Sequence, residues 1–90
     1  MIFVTDSITV TDPAKIKELM DEVKGQAETA GAKDIKVFRS LNNSNRVLTT
    51  AWWPDHNALH SFEQQAGPVF NQRITDIKQS EWDEDAWEEI

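Results

Sequence analysis

This 90-residue chain contains two histidines four residues apart, a spacing found in metal sites and in proton-transfer sites. His56 and His60 stand in the segment AWWPDHNALHSF, residues 51–62. On a helix, this spacing places both imidazoles on one face, as in HExxH zinc sites. The acid that follows the first histidine of that motif is absent, and no third ligand stands nearby, so we predict no metal site. Both residues are either helix-surface histidines or candidates for proton transfer near neutral pH.

Aromatic side chains in and after the same segment are candidates for a ligand pocket. Trp52 and Trp53 are neighbours on a predicted strand, so their side chains point to opposite faces. Each offers a large rigid surface to a flat apolar ligand, although core and interface packing would explain the pair equally well. We include Phe62 and Phe70, with Asp6 from the first strand, in the predicted pocket.

Arg39 is the third candidate for a catalytic or ligand-binding role. Strand alternation places it on the same face as Ile35 and Val37. A guanidinium on a buried face needs a carboxylate partner or an anionic ligand. We expect Asp6 to be that partner, with anion recognition as the alternative.

The elements that would position these residues follow a β-α-β-β-α-β order. Strands are predicted over residues 2–10, 34–41, 46–53 and, from a weaker pattern, 76–82. The first helix begins at Pro13, with Thr11 or Asp12 as its cap, and stops at Gly31. The second begins at His56 under an Asp55 cap and ends near Gln65. Gly67-Pro68 then breaks the chain before a short further helix that carries Phe70.

This order predicts a single α+β domain over residues 1–90 with a ferredoxin-like fold. Its four-stranded antiparallel sheet would carry the helices on one face. The third strand, RVLTTAWW, offers large apolar residues to both faces, which suits a strand buried on both sides. We therefore expect two sheets to pack face to face in a homodimer.

The net charge of −7 is concentrated in the tail, residues 81–90, which holds six acids and no base. Without clustered Lys or Arg, nucleic-acid binding is not expected. We predict that the tail is a solvated terminus, or that Trp82 and Trp87 dock it on a neighbouring subunit. The N-terminus resembles neither a signal peptide nor a membrane span, so no membrane association and a cytoplasmic location are expected.

The stretch IKVFRSLNNSNRVLTTAWWPDHNALHSF, residues 35–62, resembles the antibiotic biosynthesis monooxygenase-like family of the dimeric α/β-barrel superfamily. The resemblance rests on the order of four features: a strand, a polar hairpin, a strand that ends in aromatic residues, and a short helix with an aromatic residue. It implies a dimeric α/β barrel that oxygenates a small, flat, aromatic or quinol-type molecule without a cofactor. The alternative is a non-catalytic dimer that binds a small ligand or has a regulatory role.

Two branches of that superfamily can be compared by position. Haem-degrading members use an Asn, a Trp and a His where this chain has Asp6, Phe62 and a residue near Ile74, so haem degradation is not expected. Quinone-forming monooxygenases use an Asn, a Trp and an Arg. Residue type alone nominates Trp52, Trp53, Arg39 and Arg73 for the last two roles.

Overall fold

In a computed structural model that describes all of residues 1–90, the chain folds in the predicted β-α-β-β-α-β order. The strands are β1 (Ile2–Thr9), β2 (Lys33–Arg39), β3 (Arg46–Trp53) and β4 (Asp83–Trp87), and the helices are α1 (Pro13–Thr29) and α2 (His56–Arg73). The strands form one antiparallel sheet in the order β2-β3-β1-β4. The predicted ferredoxin-like fold is confirmed.

The residues of β1 show which face of the sheet the helices cover, because this strand lies between β3 and β4. Its residues Val4 and Ile8 are buried under the helices, and Asp6, which stands between them, points the same way. The register pairs Asp6 with Thr49 of β3 and with Glu84 of β4. These three side chains therefore share the helix-covered face.

The polar turn after β2 connects β2 to β3 in a hairpin, as predicted. The Ser40 hydroxyl accepts hydrogen bonds from the amides of Asn42 and Asn43, both at 3.1 Å. The Asn43 side chain accepts one from the Asn45 amide at 3.0 Å. Short polar side chains thus satisfy the backbone of the turn and fix the β2–β3 pairing.

The two helices begin in different ways. The Asp55 carboxylate accepts a hydrogen bond from the Ala58 amide at 2.8 Å, so the predicted cap of α2 is confirmed. Asp12 occupies the corresponding position of α1 but makes no side-chain capping bond, which corrects the expectation for that helix. There Pro13 supplies the start by its fixed φ and by removing one amide that would need a partner.

Helix α2 continues through Gly67 and Pro68, so the predicted break and the short separate helix are wrong. A proline ring normally clashes with the Cβ of the preceding residue in helical conformation. Gly67 has no Cβ, which relieves that clash. One hydrogen bond to the Gln64 carbonyl is lost, but the helix continues to Arg73, and Phe70 packs against the buried core.

The last strand lies further along the chain than predicted. Residues 76–82 form turns and an isolated bridge between Val10 and Lys78, whereas β4 is Asp83–Trp87 within the acidic tail. The segment is thus a paired strand rather than a free end, although all five of its residues are exposed to solvent. Its sequence, DEDAW, has low β propensity. The segment therefore becomes a strand because it pairs with the otherwise free backbone edge of β1.

Buried residues form two clusters between the sheet and the helices. The first comprises Ile8, Val10, Ile16, Leu19, Val47 and Ile74. The second comprises Val4, Ala27, Ala32, Trp53 and Leu59. Neither helix has the length and apolar composition that crossing a membrane requires.

The face of the sheet away from the helices is uncovered and carries large apolar side chains. The large apolar residues of this open face are Phe3, Phe38, Leu48, Trp52 and Trp87. The rings of Phe3 and Trp52 lie 4.9 Å apart, centroid to centroid. Phe38 and Trp87 remain 49% and 54% exposed. An apolar surface of this kind is typical of an interaction site.

Gly31 and Gly25 form a matched pair for testing the connection between α1 and β2. Gly31 has φ +111°, and an added Cβ would lie 2.7 Å from Pro54 Cγ, whereas Gly25 in α1 has open space. We expect Gly31→Ala to lower the free energy of unfolding by about 1–3 kcal/mol. Gly25→Ala should raise it by up to about 1 kcal/mol. Urea denaturation measures both changes, and equal shifts in the two variants would contradict this account.

Candidate functional site

A cavity of about 370 Å³ lies between the sheet and the helices. Its walls include Val4 and Trp53 of the second buried cluster, and Met20 and Phe70, which pack against the first. The cavity therefore occupies the space between the two clusters. Its volume is within the range of pockets that hold small molecules.

Two pairs of aromatic rings form much of the wall. Trp53 and Phe62 have ring centroids 5.3 Å apart, and Phe70 and Trp82 meet edge to face at 6.0 Å. The Trp82 indole donates a hydrogen bond to Asn71 Oδ1 at 2.8 Å, which fixes its orientation against α2. Rigid aromatic surfaces on two sides suit a flat apolar ligand.

Three carboxyl groups meet at one edge of this cavity. Asp6 comes from β1, Glu63 from α2 and Glu84 from β4, and each contributes an oxygen within 4.8 Å of the other two. Asp6 and Glu63 are partly buried, and Glu84 is exposed. This carboxyl cluster therefore leads from the cavity interior towards solvent.

Burial and mutual repulsion raise the pKa of two of these groups. For Asp6, burial is the largest cause, followed by a hydrogen bond and repulsion from Glu84, and the pKa reaches about 8. For Glu63, burial again comes first and Glu84 second, and the pKa is also about 8. At neutral pH both groups are therefore largely protonated.

A carboxyl group with this pKa has two chemical uses. Protonated, it donates a hydrogen bond to a ligand oxygen. Ionised, it is a stronger base than an ordinary carboxylate, and its pKa is well matched to proton abstraction near neutral pH. Three carboxylate oxygens would also suit a hard divalent cation, but such an ion would have to displace the protons held by Asp6 and Glu63.

Four of the five predicted pocket residues line the cavity: Asp6, Trp53, Phe62 and Phe70. Trp52 lies on the opposite face of the sheet, in contact with Phe3 at an interplanar angle of 51°. Strand alternation separates it from Trp53, as expected for adjacent strand residues. The two tryptophans therefore belong to different surfaces of the protein.

The three candidate catalytic residues lie outside the cavity lining. His56 and His60 are on the surface of α2 with their rings 6.1 Å apart. His60 Nδ1 stands 3.7 Å from Glu63 Oε1, so it approaches the carboxyl cluster from outside. Arg39 is exposed at the end of β2 and makes no ion pair with Asp6, which corrects that expectation. Asp6 has carboxyl neighbours in place of a guanidinium.

The sequence interpretation missed two of the three cluster members. Glu63 is not among the candidates from the sequence, although its position four residues after Leu59 places it on the core face of α2. Glu84 was assigned to the solvated tail. No alternation of apolar residues in EWDEDAW indicates which side of β4 it occupies, so only the pairing with β1 places it.

Comparison with known proteins gives a match in structure alone. No family model matches the chain, and no curated protein is detectably similar in sequence. A protein of Bordetella bronchiseptica assigned as an antibiotic biosynthesis monooxygenase superposes with a TM-score of 0.83, at 14% identity over 99% of this chain and 96% of that one. One from Nitrosomonas europaea, with the same assignment, gives a TM-score of 0.81 at 10% identity over 100% and 99%. SnoaB, a cofactor-independent oxygenase of Streptomyces nogalater, gives 0.77 at 15% identity over 98% and 91%.

These likenesses confirm the predicted resemblance at the level of fold. The chain is a ferredoxin-like domain with the architecture of antibiotic biosynthesis monooxygenases, and the match extends over nearly its whole length. At 10–15% identity, the residues of a functional site need not correspond. The shared fold therefore does not determine the activity.

The raised pKa values predict a characteristic dependence of stability on pH. The folded chain keeps protons on Asp6 and Glu63 up to about pH 8, whereas the unfolded chain releases them near pH 4. Because the folded state binds more protons in this window, its stability falls as pH rises through it. We expect the Tm to drop by at least about 5 °C between pH 5 and pH 9.

Asp6→Asn removes one of these groups and should make the fall in Tm with pH clearly shallower. Asp76→Asn removes an exposed acid outside the cavity and serves as the control, with a profile parallel to that of the wild type. Differential scanning fluorimetry over the pH series gives all three curves. Parallel curves for Asp6→Asn and the wild type would contradict the assigned pKa.

Proposed function

We propose that this protein is a cofactor-independent monooxygenase that acts on a small, flat, aromatic or quinol-type molecule. The observation that supports this most directly is a carboxyl group with a pKa of about 8 facing a cavity walled by aromatic rings. The shared fold with a cofactor-independent oxygenase adds to it. The substrate ring would lie between the Trp53–Phe62 and Phe70–Trp82 pairs.

Asp6 is the proposed general base. It is the cluster residue on the central strand of the sheet, between the buried residues Val4 and Ile8, so its position is rigid. In the ionised form it would remove a proton from an activated CH₂ group of the substrate. The resulting carbanion is delocalised over the aromatic system, and Glu63, still protonated, can donate a hydrogen bond to the developing oxyanion.

The oxygen step requires no group beyond substrate and O₂. The carbanion passes electrons to O₂, a C–O bond forms, and the peroxide takes up one proton. Loss of water then breaks the O–O bond and removes the second hydrogen from the same carbon, which becomes a carbonyl. One oxygen atom enters the product and the other leaves as water, so the substrate is oxidised and O₂ is reduced.

The assembly that we propose for this function is a homodimer formed through the open face. Phe3 and Trp52 already contact each other there, and Phe38 and Trp87 leave about half their surface in solvent. A second copy would cover this apolar area by placing the same surface against itself, as a two-fold axis requires. The cavities would then stand on the outer sides of the paired sheets.

Turnover should depend on the ionised Asp6 carboxylate. With 1,8-dihydroxyanthrone as the probe, we expect O₂ uptake and quinone absorbance above the uncatalysed rate. The kcat/KM should rise with pH through about 8, because the base must lose its proton. Asp6→Asn should lower kcat/KM by about 10²-fold or more and abolish this rise.

Asp76→Asn is again the control, and its kcat/KM should equal that of the wild type. Binding of the probe without any O₂ uptake would overturn the oxygenase proposal and favour the alternative of a non-catalytic ligand-binding dimer. Turnover that survives Asp6→Asn unchanged would overturn the assignment of the base.

The dimer can be tested with two matched surface substitutions. Phe38 on the open face and Val69 on α2 are both large, exposed apolar residues, at 49% and 58%. Sedimentation equilibrium should give twice the 10.3 kDa of one chain for the wild type and for Val69→Glu. Phe38→Glu should shift the mass towards that of one chain, because it would place charges in the interface. A monomeric wild type at micromolar concentration would contradict the proposed assembly.

A further inference from the structure

The charged side chains that line the cavity are all of one sign. Asp6, Glu63 and Glu84 are its acids, and none of the chain's nine Lys and Arg residues and neither histidine is part of the lining. Two bases on nearby segments are engaged elsewhere: Arg73 pairs with Glu22 on α1, and Lys78 pairs with Glu81 at 2.8 Å. The one base near the cluster is His60 on α2, whose Nδ1 lies 3.7 Å from Glu63 Oε1 outside the cavity lining and carries a charge only when protonated. No Lys or Arg pairs with these carboxyl groups.

This arrangement is costly to the folded chain. Like charges directly opposite one another on paired strands are destabilising, and the register places Asp6 opposite Glu84. Glu63 adds a third carboxyl from the helix layer. Protons relieve the repulsion in the free protein, and a ligand cation would relieve it more fully, because it would contact several carboxylates at once.

We propose, building on the oxygenase function above, that the cavity selects flat aromatic molecules that carry a protonated amine. Such a ligand would place its ring between the aromatic pairs and its ammonium group at the carboxyl cluster. An ammonium has three N–H donors, and three carboxyl groups converge there. An aromatic ring of the lining whose face meets the ammonium group would add cation–π attraction.

Charge also determines which ligands the cavity rejects. A carboxylate or sulfate would meet acidic side chains with no Lys or Arg to balance them, which strongly disfavours binding. A neutral alcohol of the same shape offers one hydrogen-bond donor where the ammonium offers three. The order of affinity is therefore amine first, alcohol second and carboxylate last.

Binding of the amine should also release protons. Asp6 and Glu63 hold protons at pH 7 in the free protein, and a neighbouring ammonium favours their ionised forms. In the proposed reaction Glu63 keeps its proton for the oxyanion, so up to one proton, from Asp6, leaves for the buffer for each ligand bound. For the oxygenase this has a direct consequence, since the ammonium of the correct substrate would convert Asp6 into the base form at neutral pH.

The test uses 1-naphthylmethylamine, 1-naphthalenemethanol and 1-naphthoic acid as isosteric probes of different charge. Isothermal titration calorimetry at pH 7, in two buffers of different ionisation enthalpy, gives the affinity and the number of protons released. We expect the amine to bind at least about tenfold more tightly than the alcohol, with proton release, and the acid not to bind.

Two neighbouring residues of β4 supply a matched pair of variants. Glu84 faces the cavity, whereas Asp85 points to the open face of the sheet. Glu84→Gln should reduce the ratio of amine to alcohol affinity by at least about tenfold, and Asp85→Asn should leave the ratio unchanged. A circular dichroism spectrum like that of the wild type confirms that each variant is folded.

The outcomes separate this inference from the proposed function. Equal affinity for amine and alcohol, or an amine preference that survives Glu84→Gln, overturns the inference while the cavity remains a ligand site. Failure of all three probes to bind argues against the cavity itself and so against the proposed function. A separate titration with Mn²⁺ alone tests for a metal site. If Mn²⁺ binds tightly, Glu84→Gln abolishes this binding and the amine does not bind, the inference is overturned in favour of a metal site.

Discussion

The pairing of β1 with strands on both of its sides is the interaction on which the rest of the structure depends. A strand in the middle of a sheet cannot shift its register by one residue without turning every side chain to the other face. Val4 and Ile8 fix that register by their burial, and Asp6 between them must then face the helices. The cavity, its aromatic walls and the carboxyl cluster are all built around this fixed side chain.

The carboxyl cluster and the open face are the two places where the chain departs from what stability alone would favour. In the first, repulsion and burial keep protons on carboxyl groups that would otherwise be ionised. In the second, bulky apolar side chains remain in solvent. Departures of this kind are typical of functional surfaces, because a ligand or a partner supplies the missing interactions. The fold separates the two by one sheet, with the cavity on one side and the open face on the other.

Local patterns in the sequence were sufficient to predict most of the fold and part of the candidate site. Three local features could be predicted, because each depends on neighbours within a few residues: the start of α1 at Pro13, the polar hairpin at residues 42–45 and the Asp55 cap. The continuation of α2 through Gly67-Pro68 could not, because a glycine before a proline permits a helix as well as a turn, and packing over the sheet decided between them. The same holds for the acidic tail, whose strand exists because β1 has a free edge.

The sequence by itself determined the order of elements, the opposite orientation of Trp52 and Trp53, and the presence of aromatic residues on the face that lines the cavity. These follow from side-chain periodicity, which is a property of the local backbone. Only the tertiary structure decided that Asp6 meets Glu63 and Glu84, and that His56, His60 and Arg39 stand outside the cavity. The three carboxyl groups come from β1, α2 and β4, separated by tens of residues along the chain. Their proximity, and the burial that raises two of their pKa values, exist only once the sheet has formed and the helix has packed against it.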